Sequence, residues 1–149
     1  MIGYYTESEK PTKSEIFVFG SNLAGRHGKG AAKDALRLYG ASYGQGIGIQ
    51  GRSYAIPTKD HYLNVLPIER IDKDVKIFVS FTRDNPKINF FITRVGCGLA
   101  GYKDYEIAPL FKGIGDNCRV HLDWYKLLKE DNHDNDTCRI HRGIQSSRR

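Results

Sequence analysis

Long apolar runs, paired cysteines and a signal-type leader are all missing from this sequence of 149 residues. No apolar run approaches the roughly 20 residues that a helix needs to cross a bilayer, and the N-terminus lacks the apolar core of a signal peptide. The three cysteines, Cys97, Cys118 and Cys138, are odd in number and lack the spacing of metal ligands. We therefore expect a cytoplasmic protein with reduced cysteines, no membrane partner and no metal or other cofactor.

An excess of negative charge is missing as well. Lysine and arginine number 23 against 17 for aspartate and glutamate, which gives a net charge of +6 at pH 7. This balance permits a polyanionic partner, nucleic acid included, without identifying one. A hydrophobic content of 40% and a charged content of 27% fit a soluble globular protein with one core.

Three segments differ in their residue patterns. Residues 1–15 are polar without a clear period, which predicts a loosely ordered lead-in. Residues 16–128 carry the apolar patterns of a domain. Residues 129–149 lose those patterns and are first acidic, then basic. We expect a solvated tail there, and the alternative is a basic end that contacts nucleic acid.

The first patterned stretch predicts a strand, a glycine-rich loop and a helix. Residues 16–19 form an apolar run, glycines follow at positions 20, 25, 28 and 30, and apolar residues from Ala31 to Tyr39 then recur at helical spacing. Such a loop offers backbone N–H groups and a positive helix end to an anion, usually a phosphate. The glycine spacing matches neither the P-loop nor the dinucleotide fingerprint, and an ordinary strand-to-helix turn remains the alternative.

Two further stretches contain residue types that are typical of ligand sites. Residues 40–51 contain five glycines, which indicates either a flexible flap or backbone close to a ligand. Tyr54–Ile56 predicts a short strand that ends at Pro57, because proline cannot donate to a ladder. Thr58, Lys59 and His61 would then lie at the carboxyl end of this strand, although solvated residues are the plainer interpretation of Lys59 and His61.

The remaining domain continues the alternation. Pro67 predicts the start of a helix, residues 88–95 a central strand and residues 96–102 a second glycine-rich loop. Asp104 is a candidate cap for the next helix, in which Pro109 predicts either a kink or a later helix start, and residues 119–122 predict a last strand. Because parallel strands bring their carboxyl ends to one edge, we expect both glycine loops and Lys59 to meet there in an α/β/α sandwich.

Three blocks carry a family resemblance: Ser21-Asn22 with residues 28–32, then residues 56–62, then residues 95–102. In this order they resemble the Asn loop, the Pro-Thr-Lys segment and the Gly-Cys-Gly loop of macro domains, which bind ADP-ribose. The similarity is greatest to the branch that contains the DarG antitoxin and the terminal ADP-ribose protein glycohydrolase. It covers about residues 16–122. A compact phage-type version of the domain, acting in the host cytoplasm, is part of this expectation.

The resemblance implies a three-layer α/β/α sandwich with a mixed central sheet, ADP-ribose or an ADP-ribosylated macromolecule as partner, and hydrolysis of ADP-ribosyl linkages. In that family the glycine loops wrap the diphosphate and the distal ribose, the residue matching Asn22 bonds that ribose, and the residue matching Lys59 attacks its anomeric carbon. His61 joins Lys59 and Asn22 in the expected catalytic group. The expected ligand-binding residues are Ser21, Asn22, Gly28, Gly30, Ala31, Thr58, Gly96, Cys97, Gly98, Leu99, Ala100, Gly101 and Tyr102.

The sequence departs from the family pattern in three places. Residues 1–15 lack the family's Gly-Asp turn, whose aspartate reads adenine. Ala100 stands where the eukaryotic glycohydrolase has a catalytic aspartate. The tryptophan that follows the second loop is also absent, which leaves Tyr102 or Tyr105 to fill its space.

Three activities therefore stay open. The first is removal of ADP-ribose from DNA or protein with Lys59 as nucleophile. The second is a phosphatase for ADP-ribose 1''-phosphate with His27 or His61 as base, and the third is a reader or sponge of ADP-ribose derivatives without catalysis. Lys59 favours the first activity, whereas Ala100 weakens it.

Overall fold

A computed structural model describes residues 1–130. Within them lie six strands and four α-helices. The strands are β1 (Gly3–Tyr5), β2 (Glu15–Asn22), β3 (Gly48–Gln50), β4 (Ser53–Lys59), β5 (Asn89–Ile92) and β6 (Cys118–His121). The helices are α1 (Gly30–Leu38), α2 (Ile68–Asp84), α3 (Asp104–Ile107) and α4 (residues 122–130), with a 3-10 turn at Ala108–Phe111.

The six strands form one sheet in the order β1-β6-β5-β2-β4-β3. All neighbouring pairs are parallel except β3 and β4, so the sheet is mixed. Parallel strands need crossover connections, and α1 lies on the one from β2 to β4, α2 on the one from β4 to β5, and α3 on the one from β5 to β6. β2 lies between β4 and β5, and the loop after β2 is therefore central at the carboxyl edge.

Two apolar cores cover the two faces of the sheet. On one face α1 presents Ala32 and Ala35 to Phe17, Phe19 and neighbouring aromatic rings. The other face carries α2, α3 and α4 over a larger core. Its members include Val18, Ile56, Ile71, Val75, Phe78, Phe90, Ile92, Ile107, Phe111, Val120 and Trp124. The predicted three-layer α/β/α sandwich with a mixed sheet is confirmed.

Most elements lie where the patterns predict them. Helix α2 begins directly after Pro67 and buries Ile71, Val75 and Phe78 completely. Pro109 interrupts the helix after β5 as predicted, because α3 ends at Ile107 and a 3-10 turn follows. Asp104 does not cap α3. It is the first residue of that helix, and its carboxylate accepts hydrogen bonds from Arg94 and Trp124 instead.

Four expectations about local structure need correction. The lead-in contains strand β1, because Gly3–Tyr5 pairs with β6. Pro57 lies inside β4 rather than ending it, since β3 pairs only with Ser53–Ala55 and leaves no ladder beside the proline on that side. β3 and α4 were not expected at all, and Lys129 and Glu130 belong to α4 rather than to the predicted tail. The rest of that tail lies outside the described residues.

Arg119 on β6 fastens the segment between β1 and β2 to the sheet. Its Nε donates to Glu15 Oε2 at 2.7 Å and its Nη2 to Glu15 Oε1 at 2.9 Å. Further N–H groups donate to Glu9 Oε2 and to the carbonyl oxygen of Lys10. The guanidinium also lies 5.0 Å from the centre of the Phe91 ring. A single arginine therefore connects residues that are about a hundred positions apart in the chain.

Arg119→Met should destabilise the protein, because it leaves the nearly buried Glu15 carboxylate without its partner. We expect the free energy of unfolding to fall by about 2–3 kcal/mol near neutral pH. Burial acts to raise the pKa of Glu15, but the hydrogen bonds from Arg119 and from the Thr12 N–H together outweigh it and hold that pKa below its ordinary value. The stabilisation is therefore present above a pH of about 4.3 and is lost as the pH falls through the folded-state pKa.

Urea unfolding of both proteins at neutral and acid pH measures this difference. The control is Lys76→Met, which breaks the exposed pair with Asp72 and should cost less than about 1 kcal/mol. A wild-type advantage that stayed equally large in acid would contradict the role given to Glu15.

Candidate functional site

The carboxyl ends of β2, β4 and β5 meet at one edge of the sheet. Asn22, the last residue of β2, pairs in register with Lys59, the last residue of β4. The N–H of Leu23 donates to the carbonyl oxygen of Lys59 at 2.9 Å and holds the two ends together. A side chain at Gly20 would come within 3.4 Å of the Gly96 nitrogen, which brings the segment after β5 to the same place.

Two loops frame this edge: loop 1, residues 23–29, leads from β2 to α1, and loop 2, residues 93–103, leads from β5 to α3. They approach one another across the site. A side chain at Gly30, just after loop 1, would lie 3.9 Å from Leu99 Cδ1 in loop 2. The predicted convergence of the two glycine loops thus has a direct structural counterpart.

Asn22 shapes loop 1 with its side-chain amide. Its Nδ2 donates to the Arg26 carbonyl oxygen and its Oδ1 accepts from the Arg26 N–H, both at 2.9 Å. The side chain is buried. One amide N–H and one oxygen lone pair remain for any other partner. Asn22 is therefore at the expected place, but its first task there is to close the turn of loop 1.

Residues 40–51 support loop 1 through backbone contacts. The Gly44 N–H donates to the Gly25 carbonyl oxygen at 2.8 Å, and the Ser21 hydroxyl donates to the Gly46 carbonyl oxygen at 2.5 Å. A side chain at Gly46 would overlap the Asn22 carbonyl oxygen, and one at Gly25 would overlap Gly44. The glycines of this stretch thus allow two backbones to pack together, whereas a flap or backbone close to a ligand was expected for residues 40–51.

His27 joins loop 1 to β3 and is buried, with 1% of its surface exposed. Its Nε2 lies 3.2 Å from Gln50 Oε1, which also accepts the Ser42 N–H. Because Gln50 Oε1 is an acceptor, the neutral ring carries its proton on Nε2. The Nδ1 atom has no hydrogen-bond partner among the described residues. His27 thus braces loop 1 from beneath and is not exposed to an incoming substrate.

Free backbone N–H groups occur at both loops. Helix α1 starts at Gly30, and its N-cap Lys29 makes no side-chain capping bond. In loop 2, Gly96 and Gly101 have φ of +80° and +84°, which requires glycine there. These turns leave Gly98 and Leu99 exposed. Within residues 1–130 the N–H groups of positions 28–30 and 98–100 donate to no acceptor, so both loops can receive an anion.

A partly buried polar clamp closes loop 2. Arg94 near its start donates two hydrogen bonds to the Asp104 carboxylate just after its end, and Trp124 Nε1 donates to Asp104 Oδ1 at 2.7 Å. The bonds from Arg94 lower the pKa of Asp104 to about 2, so the clamp stays ionised. Burial raises the pKa of the Cys97 thiol to about 12, which rules out a thiolate in this loop near neutral pH.

Tyr102, Thr58 and Ser21 have structural partners. The Tyr102 hydroxyl donates to the Leu66 carbonyl oxygen at 2.6 Å, and the Thr58 hydroxyl donates to the Ser21 carbonyl oxygen at 3.3 Å. Lys59 is half-buried and its ammonium makes no hydrogen bond or ion pair with another described residue. His61 is exposed in the turn that follows Lys59.

A cavity of about 440 Å³ opens beside loop 1 and was not predicted. It is lined by Tyr5, Glu7, Glu9, Lys10, Pro11, Phe17, Gly30, Ala31, Asp34, Leu38, Tyr39, Phe91, Thr93, Arg94 and His121. Tyr5 stacks on Phe91 at 3.9 Å between ring centres. The Asp123 N–H donates to His121 Nδ1, so His121 Nε2 carries the proton that it shares with Glu7 Oε1 at 3.0 Å. Glu7 is thus a fixed hydrogen-bond acceptor at the cavity wall.

Metal binding and membrane crossing find no support in residues 1–130. No three side chains of His, Cys, Asp or Glu come together there as metal ligands. None of the helices in that part of the chain has both the length and the apolar character to span a bilayer.

Comparison with known proteins reveals likeness in structure only. No protein-family model matches the sequence, and no curated protein matches it. A Bacteroides thetaiotaomicron protein of unknown function is 18% identical, with a TM-score of 0.56 over 81% of this chain and 97% of that chain. Alphavirus P23pro-zbd is 13% identical, with a TM-score of 0.59 over 91% of this chain but 24% of that one.

Thermosipho africanus DarTG in complex with ADP-ribose is 18% identical, with a TM-score of 0.49 over 73% of this chain and 38% of that chain. At these identities the likenesses bear on architecture alone. Those with the larger TM-scores share the α/β fold of this chain.

Gly46→Ala should disturb the packing of residues 40–51 against loop 1, because the added methyl group overlaps the Asn22 carbonyl oxygen. We expect a loss of about 1–3 kcal/mol in the free energy of unfolding, the usual cost of overpacking. The matched control is Gly98→Ala, whose methyl group would meet nothing within 4 Å. Urea unfolding compares the two variants. Equal stability of both would show that residues 40–51 do not support loop 1.

Proposed function

We propose that this protein binds ADP-ribose between loop 1 and loop 2 and hydrolyses ADP-ribosyl linkages on DNA or protein, with Lys59 as the nucleophile. The observation that carries the proposal is the register of β2 and β4. It sets Lys59 directly beside Asn22 at the edge where both loops present free N–H groups. The three blocks that resemble macro domains all lie at this edge.

The diphosphate would occupy the space between the loops. Backbone N–H groups at positions 28–30 and 98–100 have no acceptor within residues 1–130, and α1 begins at Gly30 with the positive end of its dipole. Backbone donors of this kind bind phosphate without a lysine or arginine in direct contact. The loop 2 clamp of Arg94 and Asp104 holds its donors in place before a ligand arrives.

The cavity beside Gly30 and Ala31 is our proposed place for the nucleobase. Its volume is within the range of small-molecule sites. The family's adenine-reading aspartate is absent from the sequence, but Glu7 follows β1 and stands in this wall as an oriented acceptor. The exocyclic amino group of a nucleobase would donate a hydrogen bond to such a carboxylate.

Lys59 would act by covalent catalysis at the distal ribose. The neutral amine attacks the anomeric carbon and forms a C–N bond, while the bond to the modified group breaks and that group leaves with the electron pair and takes up a proton. Water then releases ADP-ribose and restores the amine. His61 follows Lys59 by two residues and is the exposed histidine available for the proton transfers.

A reader without catalysis is the second candidate. Its supporting observation is that the Asn22 amide already bonds Arg26, and that no carboxylate occupies position 100. The phosphatase that uses His27 has less support, because His27 is buried beneath loop 1.

Calorimetry with ADP-ribose tests the binding step. Gly98→Glu should weaken binding by more than about tenfold, because its carboxylate would face the diphosphate. Gly98→Ala has room for its methyl group and should retain affinity. Failure of the wild-type protein to bind millimolar ADP-ribose would remove this ligand from the proposal.

Lys59→Ala should abolish release of ADP-ribose from a modified substrate while its ADP-ribose affinity stays within a few-fold of wild type. Lys59→Arg should be equally inactive, because a guanidinium keeps its charge and is not a nucleophile. Release is followed by detecting free ADP-ribose from ADP-ribosylated DNA and protein in parallel. If the C–N adduct opens to an imine, borohydride should reduce it and trap an adduct at Lys59. Full turnover by Lys59→Ala would exclude the mechanism, and a wild-type protein that binds without turnover would favour the reader.

A further inference from the structure

Strand β3 forms one edge of the sheet and has apolar side chains beside it. Within residues 1–130 its only neighbouring strand is β4. Ile47, just before β3, is 48% exposed, and Ile49, in the middle of β3, is 45% exposed. An edge strand offers unpaired backbone groups to any other strand, and exposed apolar side chains favour such pairing. This edge therefore needs protection if the protein is to remain a single copy.

The common forms of protection are missing from the sequence around β3. Natural edge strands are often protected by charged side chains or by proline. Residues 40–51, which contain β3, include no lysine, arginine, histidine, aspartate, glutamate or proline. Two copies of this strand could therefore approach each other without charge repulsion.

The backbone groups of Ile49 point away from the sheet. The Phe17 N–H donates to the Arg52 carbonyl oxygen at 2.8 Å. Backbone groups alternate in direction along a strand, so those of Tyr54 also face β2. Ile49 lies opposite Tyr54 in the register of β3 and β4. Its N–H and carbonyl group therefore point outward, where a further strand would bond to them.

The side chain of Gln45 occupies this outer edge. Its Nε2 donates to the carbonyl oxygens of Ile47 at 3.1 Å and of Ile49 at 3.0 Å. An amide nitrogen has two N–H groups, and both are used here. The backbone of Gln45 is also held, because its N–H donates to the Ser42 carbonyl oxygen and its carbonyl oxygen accepts from Gln50 Nε2. The acceptors that a further strand needs are thus already bonded.

We propose that Gln45 is an edge cap, which prevents β3 from pairing with β3 of a second copy and so keeps this protein a monomer. Without the cap, two β3 strands could pair in antiparallel fashion about a two-fold axis and join the two sheets. That axis would pass beside Ile49, the central residue of the strand. The proposal concerns the β3 edge and does not depend on ADP-ribose binding.

Sedimentation equilibrium from micromolar to millimolar protein tests the cap. The wild-type protein should stay a monomer. Gln45→Met keeps the length of the side chain but donates no hydrogen bond, and it should dimerise at concentrations at least about tenfold lower than the wild type, because hydrogen bonds form between the strands. Gln45→Ala should behave like Gln45→Met. Gln45→Lys should stay a monomer, since its ammonium group donates to the same oxygens. Ser42→Ala, at an exposed residue of the same segment, is the control and should also stay a monomer.

Hydrogen exchange and a second substitution locate the contact. In the Gln45→Met dimer the Ile49 N–H should exchange more slowly than in the dilute monomer. Gln45→Met combined with Ile49→Lys should return to a monomer, because like charges would face each other across the axis.

Three results would overturn the proposal, once circular dichroism shows that each variant is folded. The first is that Gln45→Met and Gln45→Ala both stay monomeric at millimolar concentration. The second is a wild-type dimer that protects the Ile49 N–H. The third is a Gln45→Met dimer in which this N–H is not protected, because the contact would then lie elsewhere.

Discussion

The pairing of β2 with β4 on one side and β5 on the other is the constraint on which the site depends. Parallel pairing aligns the carboxyl ends of these strands, and the register sets Asn22 against Lys59. Loop 1 and loop 2 start from neighbouring strand ends, so they face each other without any direct covalent or ionic link. A change that shifted this register would separate the candidate nucleophile from the proposed anion site.

Backbone packing, more than side-chain contact, supports the site from below. Residues 40–51 lie so close to loop 1 that side chains at Gly25 or Gly46 would overlap main-chain atoms. Main-chain hydrogen bonds and the buried pair of His27 and Gln50 complete that support. Because the bonding groups are mostly backbone, the N–H donors of loop 1 are held in place before a ligand arrives, which reduces the ordering cost of binding.

Ion pairs organise the opposite side of the site. Arg119 holds the segment before β2 on the sheet, and Arg94 closes loop 2 through Asp104. Arg94 and residues 9–11 of the segment that Arg119 holds line the cavity in which Glu7 is an oriented acceptor. The region that the sequence marked as a loosely ordered lead-in thus provides one wall of the proposed ligand site.

The sequence by itself determined the alternating α/β class, the positions of β2, α1, α2 and β5, and the three blocks at the carboxyl edge, because apolar periodicity and glycine placement are local signals. Tertiary structure alone decided the rest. Strand β1 is too short to show a period and exists through pairing with β6, and Pro57 fits within β4 because β3 ends before it. Other features depend on contacts that no local sequence pattern encodes. They are the hydrogen bonds by which Asn22 closes loop 1, the support of loop 1 by residues 40–51, and the cavity at Glu7.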